Sequence, residues 1–204
     1  MQPATTAVIA LHYQNEVLHP DGKIRVGLDS DSPVRQNVLD AASAMFQRAR
    51  ACGLPIVHVR IAFRPDYADL LTNMPIMRGV AASNAMTEGS WGAQFHEQLA
   101  PDTGSPREFI VKHTRINAFF GSPLEEVLRI VDAKRLLIAG VATHSVVEGT
   151  VRHAADAGYE VLVAAPACAS ASPVTHQAAL DSMSLMAQIL DANALAQFFD
   201  ELPS

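Results

Sequence analysis

Short apolar runs separated by helix-like stretches restrict what this chain can fold into. "TTAVIALHY" (5–13), "LPIVHVRIAF" (54–63), "EFIVK" (108–112), "RLLIAGV" (135–141) and "YEVLVAA" (159–165) are nearly continuous in apolar and β-branched residues. A strand with one wet face alternates polar and apolar positions. One that does not alternate needs cover on both faces, which helices supply in parallel sheets. The intervening segments have helical spacing. In "SPVRQNVLDAASAMFQRARACG", Val34, Val38, Ala41, Ala42, Met45 and Ala49 share a face, Ser-Pro opens the segment and Gly53 closes it. Helices are expected over 122–133, 143–157 and 173–187, then a short strand "QIL" (188–190) and a last helix within "DANALAQFFDEL". Residues 64–107 are rich in Pro, Gly, Ser and Asn and form a long excursion, with one short helix expected at "AQFHEQLA". The expected fold class is α/β, a three-layer α/β/α arrangement with a mostly parallel, doubly wound sheet of Rossmann-like type, and residues 1–204 form one domain.

Such sheets bind ligands beyond the C-terminal ends of their strands, where the strand order reverses. That rule gathers His12, Phe63, Lys112–His113 and the turn at 142–146 around one pocket. Composition narrows the partners. A formal net charge of −6 argues against nucleic acid and acidic membrane surfaces, which need clustered Lys and Arg. Two cysteines, Cys52 and Cys168, without CxxC spacing fit a reducing, cytoplasmic setting. "MQPATTAVIALHYQNE" has no basic start, and its apolar run is too short for a signal peptide or a membrane span. The expected partner is a small-molecule substrate or ligand.

"AVIALHYQNE", "VKHTRINAFFGSPLEEVL" and "LIAGVATHSVVEGTVRHAADAGYEVLVAAPACAS" together resemble the isochorismatase-like hydrolases, also called the cysteine hydrolase superfamily. The resemblance covers nearly the whole chain in order. It implies the isochorismatase-like version of the fold, a homo-oligomer, and a cis peptide between Val141 and Ala142. It also implies an Asp base ending the first strand, a Lys after the third, and a Cys nucleophile six residues after the Gly of the elbow. Carried over residue by residue, the Asp position holds His12 and the Cys position holds Val146. The Lys position falls on His113 by counting back from "INAF", or on Lys112 if one residue bulges. The resemblance is thus to a member without the usual Asp-Lys-Cys triad. Isochorismatases also dispense with the Cys, but they rely on the Asp.

Each candidate residue has a functional and a structural reading. His12 can act as a base near neutral pH, or be a hydrogen-bonded pocket histidine. One of Lys112 and His113 faces the cleft, since neighbours on a strand alternate sides. Ser145 is the substitute nucleophile, but "SVVE" (145–148) also fits a capping box, with Thr143 as a competing cap. His12, His113 and His144 could converge on zinc. Three unlinked histidines are more often separate, and the adopted reading has no metal and no cofactor. Substrate contacts are expected from Arg64, Trp91, Phe119, Ala142, His144 and Val146, with Trp91 closing a lid or packing its own loop. Cys168 and His58 read as core residues.

These expectations point to a small-molecule hydrolase with a Cys-free site, in which water attacks a small amide or a vinyl-ether carboxylate. His12 would be the base, Lys112 or His113 the electrostatic partner, and the N–H groups of 142–146 the anion hole. The alternative is an inactive relative that binds a small ligand or serves as an oligomeric partner.

Overall fold

A computed structural model describes residues 5–24, 28, 32–170 and 172–202. Six strands form one parallel sheet: β1 (Thr6–Leu11), β2 (Ile56–Ile61), β3 (Glu108–His113), β4 (Arg135–Gly140), β5 (Glu160–Ala164) and β6 (Gln188–Leu190). Their order is β3-β2-β1-β4-β5-β6, so the sheet grows in one direction from β1 and then in the other from β4. The reversal lies between those two strands, and both are buried along their length except at Arg135. Gly140 lets them approach: it pairs with Leu11, and a Cβ there would run into the Leu11 carbonyl oxygen.

Seven α-helices flank the sheet among the described residues: α1 (Asn15–Leu18), α2 (Val34–Ala51), α3 (Pro75–Ala82), α4 (Leu124–Ile130), α5 (Glu148–Asp156), α6 (Pro173–Met183) and α7 (Ala192–Asp200). The buried face of α2 is Arg35, Val38, Leu39, Ala42, Met45, Phe46 and Ala49. That face is rotated slightly from the sequence expectation, because Val34 turns outward and Leu39 and Phe46 turn in. The helix ends as Gly53 takes a φ of 65° and the Leu54 N–H returns to the Ala49 carbonyl at 2.9 Å.

The long excursion departs most from expectation. No α-helix forms over 93–100; two 3-10 turns, Trp91–Ala93 and Glu97–Leu99, flank an extended stretch. That stretch pairs with the chain leaving β1: the Asn15 N–H meets the Gln94 carbonyl and the His96 N–H the Tyr13 carbonyl, both at 2.9 Å. Tertiary pairing overrides local helical propensity here. The helix of the excursion is instead α3. Pro75 occupies its first turn, where the missing N–H is harmless, and Met77 and Val80 are buried. No helix among the described residues is long and apolar enough to cross a membrane.

Candidate active site

The site is built where β1 and β4 end side by side. After Leu11 the chain turns at His12, whose φ of 56° bends it out of the strand. Gln14 anchors the departing segment: its amide nitrogen donates to the Ile61 and Ala93 carbonyls at 2.9 Å each, and its oxygen accepts the Ile61 N–H at 2.8 Å. A buried amide with these partners fixed has little freedom, so the end of β1 is tied to the ends of β2 and the excursion. On the other side the Val141–Ala142 peptide is cis. A π-helical turn, Thr143–Val147, then leads into α5.

A small cavity of about 50 Å³ opens there. His12, Val141, Ala142, Ser145 and Val146 border it from the two strand ends, Ile76, Met77 and Val80 from α3, and Arg115 and Ile116 from the segment after β3. His113 stands directly behind His12, with the two Nε2 atoms 2.5 Å apart and the rings tilted by 43°. Two nitrogens at that distance share one hydrogen. His113 Nδ1 lies 3.3 Å from the Asn117 carbonyl oxygen, which can only accept, so Nδ1 carries the His113 proton. In the neutral pair, His12 therefore donates from Nε2, and its Nδ1 is a bare lone pair. Burial pushes His113 down to about 4, against the pull of the Asn117 carbonyl. Burial first, and the neighbouring imidazole second, hold His12 well below the usual histidine value. Both rings are thus neutral at physiological pH.

The structure separates the paired candidates on β3. Lys112 pairs with Arg60 across the strands, and His113 with Ile61. Lys112 extends away from the cavity to Glu88 at 3.2 Å, an acid that Arg60 also meets at 2.5 Å. His113 is the one that turns inward. Ser145 borders the cavity, and α5, which starts at Glu148 with Val147 at its N-cap, has no side-chain cap, so the expected capping box does not form. The Glu148 N–H goes to the Thr143 and Ser145 carbonyls instead of to the Ser145 hydroxyl. Thr143 does not cap either; its hydroxyl contacts His176 Nδ1 at 2.8 Å. His144 points elsewhere, with Nδ1 at 2.8 Å from Ser170 Oγ, so it does not join His12 and His113. No group of three His, Cys, Asp or Glu among the described residues is placed to hold a metal.

Several expected contacts lie away from the cavity. Arg64 is exposed and bound to Asp66 at 2.7 Å. Trp91 is half exposed and rests edge-on against His19, at the end of α1. Phe119 is buried and stacked on His153, 4.5 Å between centroids. The anion hole also narrows. The N–H groups of Thr143, His144 and Ser145 already reach Ala169, Ser170 and Ala142, which leaves at most Ala142 and Val146 as donors. Cys168 is buried outside the cavity wall, with its thiol pushed up to about 12 by burial. His58 is fully buried and meets Glu108 at 2.9 Å. The sequence reading missed the walls supplied by α3, and it missed Arg115.

Fold and site together define a doubly wound α/β protein with a hydrolase-type elbow at the switch point of its sheet. Residues 6–194 match the isochorismatase domain model, and the chain belongs to that family. Among its relatives is the ureidoacrylate amidohydrolase RutB of Methylobacterium radiotolerans, 29% identical over 196 residues that cover 88% of this chain and 73% of that protein. Among solved structures, the fold is shared with an isochorismatase family protein from Desulfovibrio vulgaris (TM-score 0.82, 23% identity, 97% of this chain and 100% of that one). It is also shared with a cysteine hydrolase from Pseudomonas syringae pv. phaseolicola (TM-score 0.82, 20% identity, 99% and 94%).

Proposed function

We propose that this isochorismatase-family protein hydrolyses a small amide with water as the nucleophile and the His12–His113 pair as the base. The observation that carries the reading is the Nδ1 of His12, which bonds to none of the described residues, backed through Nε2 by a second imidazole at the cavity. Relatives that act as ureidoacrylate amidohydrolases favour an amide over a vinyl ether. With Val146 at the elbow, no side-chain thiol attacks there.

In the step that follows, the water oxygen bonds to the carbonyl carbon while its proton passes to His12 Nδ1. The His12 Nε2 proton can shift to His113 Nε2, which spreads the gained charge over two rings. The tetrahedral oxyanion is met by the remaining N–H groups of Ala142 and Val146. Collapse breaks the C–N bond, the departing nitrogen takes the proton back, and both imidazoles return to neutral. Ser145 orients the water. The competing reading, a ligand-binding relative without turnover, draws on one observation: Lys112 has left the cavity for Glu88.

The test is purified protein assayed on ureido acids, nicotinamide and isochorismate. Turnover should appear with the ureido acids and fall about a thousandfold in His12→Asn, the range expected for loss of a general base. Asparagine tolerates the positive φ at this position, so the variant removes the base without breaking the turn. Turnover indifferent to the change removes His12 from the mechanism. Saturable binding with no turnover on the whole panel selects the silent relative.

A further inference from the structure

The segment after β3 is gripped from behind by α5. Thr150 and His153 stand at i and i+3 on that helix and so share a face. The buried Thr150 takes the Ala118 N–H on its hydroxyl at 3.2 Å. His153 Nδ1 lies 3.0 Å from Asn117 Nδ2, and its ring stacks on Phe119 with 4.5 Å between centroids. Each hydrogen here has one possible place. The Phe119 N–H can only donate, so the Asn117 side-chain atom 2.9 Å from it is the amide oxygen. The amide nitrogen therefore faces His153 and donates to it, which leaves His153 Nδ1 as acceptor and its hydrogen on Nε2. The Asn117 side chain is thus held at both ends. Its backbone carbonyl accepts the Phe120 N–H at 3.2 Å and faces His113 Nδ1 at 3.3 Å.

We infer that His153 is a positioning residue for the His12–His113 pair: from α5, through Asn117, it sets which nitrogen of His113 carries the hydrogen. This rests on the reading of that pair as the base and adds what keeps it in the working form. Neither His153 nor Asn117 borders the cavity, so both act through His113. A ring nitrogen carries its hydrogen where a partner can accept it, and the Asn117 carbonyl is that partner. Without the link to His153, Asn117 turns and its carbonyl loses its aim. His113 then also takes the form with hydrogen on Nε2. In that form His12 must offer its own Nε2 lone pair across the short contact, and its hydrogen moves to Nδ1. Nδ1 is the atom that has to receive the proton of water, so the pair in that form is no base. One helix thereby serves both halves of the site, since α5 also continues the π turn of the elbow.

The test reads the hydrogens directly, from ring-nitrogen chemical shifts of protein labelled at histidine nitrogen. In the wild type, His113 should carry hydrogen on Nδ1, and His12 and His153 on Nε2. A wild-type His153 with hydrogen on Nδ1 overturns the proposal before any variant is made. His153→Phe keeps a ring over Phe119 and removes the acceptor. It should give His113 as a mixture of the two forms and lower kcat on the productive ureido acid about tenfold, with KM little changed, as for one lost hydrogen bond. His153→Asn places an oxygen where Nδ1 was and should restore both the wild-type form and kcat. Asn117→Ala should match His153→Phe, and the double variant should be no worse than either, because both cut one link. Thermal melts check folding, and Asn117→Ala serves if His153→Phe does not fold. Wild-type shifts in folded His153→Phe or Asn117→Ala, or a His153→Asn no better than His153→Phe, overturn the positioning role and leave the hydrolase standing. The shifts need no substrate, so a protein without turnover on any substrate sinks the hydrolase while the shifts still decide this inference.

Discussion

Two buried histidine pairs sit in this sheet, and they differ in what surrounds them. His58 lies in the middle of β2, between the rings of Phe46 and Phe95, and contacts Glu108. That carboxylate also accepts from Arg50 at 2.7 and 3.2 Å and from the Asp102 N–H at 2.8 Å. The His12–His113 pair lies at the strand ends, faces a cavity and has no acid bonded to it among the described residues. Burial pushes His58 and His113 to about 4 alike, although Glu108 pulls His58 the other way. A depressed histidine therefore does not mark a reactive site by itself. The two pairs are told apart by place: Glu108 has a donor for each oxygen, and His58 Nδ1, although it too lacks a partner, is sealed among core rings, whereas His12 borders a cavity.

The contrast can be broken most sharply by deletion at each pair. His12→Asn should cost about a thousandfold in kcat/KM on the productive substrate, near 4 kcal/mol of transition-state stabilisation, with little change in melting temperature. Glu108→Ala should do the reverse. It strands Arg50 and His58 and should cost about 3 kcal/mol of stability by urea denaturation, while turnover per folded molecule stays within about twofold. A large loss of turnover there would merge the two pairs into one functional unit.

Acid should weaken both pairs together. The folded-state values of His58 and His113 lie near 4, below the ordinary 6.5, so between those limits the unfolded chain binds protons that the folded chain refuses. Stability is then complete above about pH 6.5 and lost as pH falls toward 4, by at most about 1.4 kcal/mol per pH unit for each histidine. Urea midpoints at pH 7.5, 6 and 5 measure the slope, and a flat profile would show that neither ring is held neutral. Turnover should persist below the pH at which an ordinary histidine gains its proton, since a base held below the usual value by burial keeps its lone pair there. The smallest effect is expected at Ser145. Ser145→Ala should lower kcat by less than about tenfold if the hydroxyl only orients water, whereas a loss near that of His12→Asn would make it the nucleophile.

Much of the architecture was legible because its signals are local. Continuous apolar runs marked five strands, "QIL" marked the sixth, and Gly140 marked the elbow. The excursion was not legible in the same way. Residues 93–100 carry helical composition, yet their backbone pairs with Tyr13 and Asn15, partners about eighty residues earlier in the chain. The helix at 75–82 had a start signal in Pro75, hidden among the Pro, Gly and Asn that suggested a loop. At the site, the position of His12 could be read from topology, whereas Arg115 left no periodic or spacing signal and emerged only from its missing partner.

A parallel, doubly wound sheet, the elbow after Gly140 and the lack of a cysteine there could be read from short segments, because strand burial, turn chemistry and residue identity are local properties. The meeting of His113 and not Lys112 with His12, the turn of His144 to Ser170, and an Arg115 Nη1 without a partner among the described residues came from long-range packing. Those outcomes depend on how strands distant in sequence align: the two imidazoles that meet are 101 residues apart, and no local pattern encodes that contact.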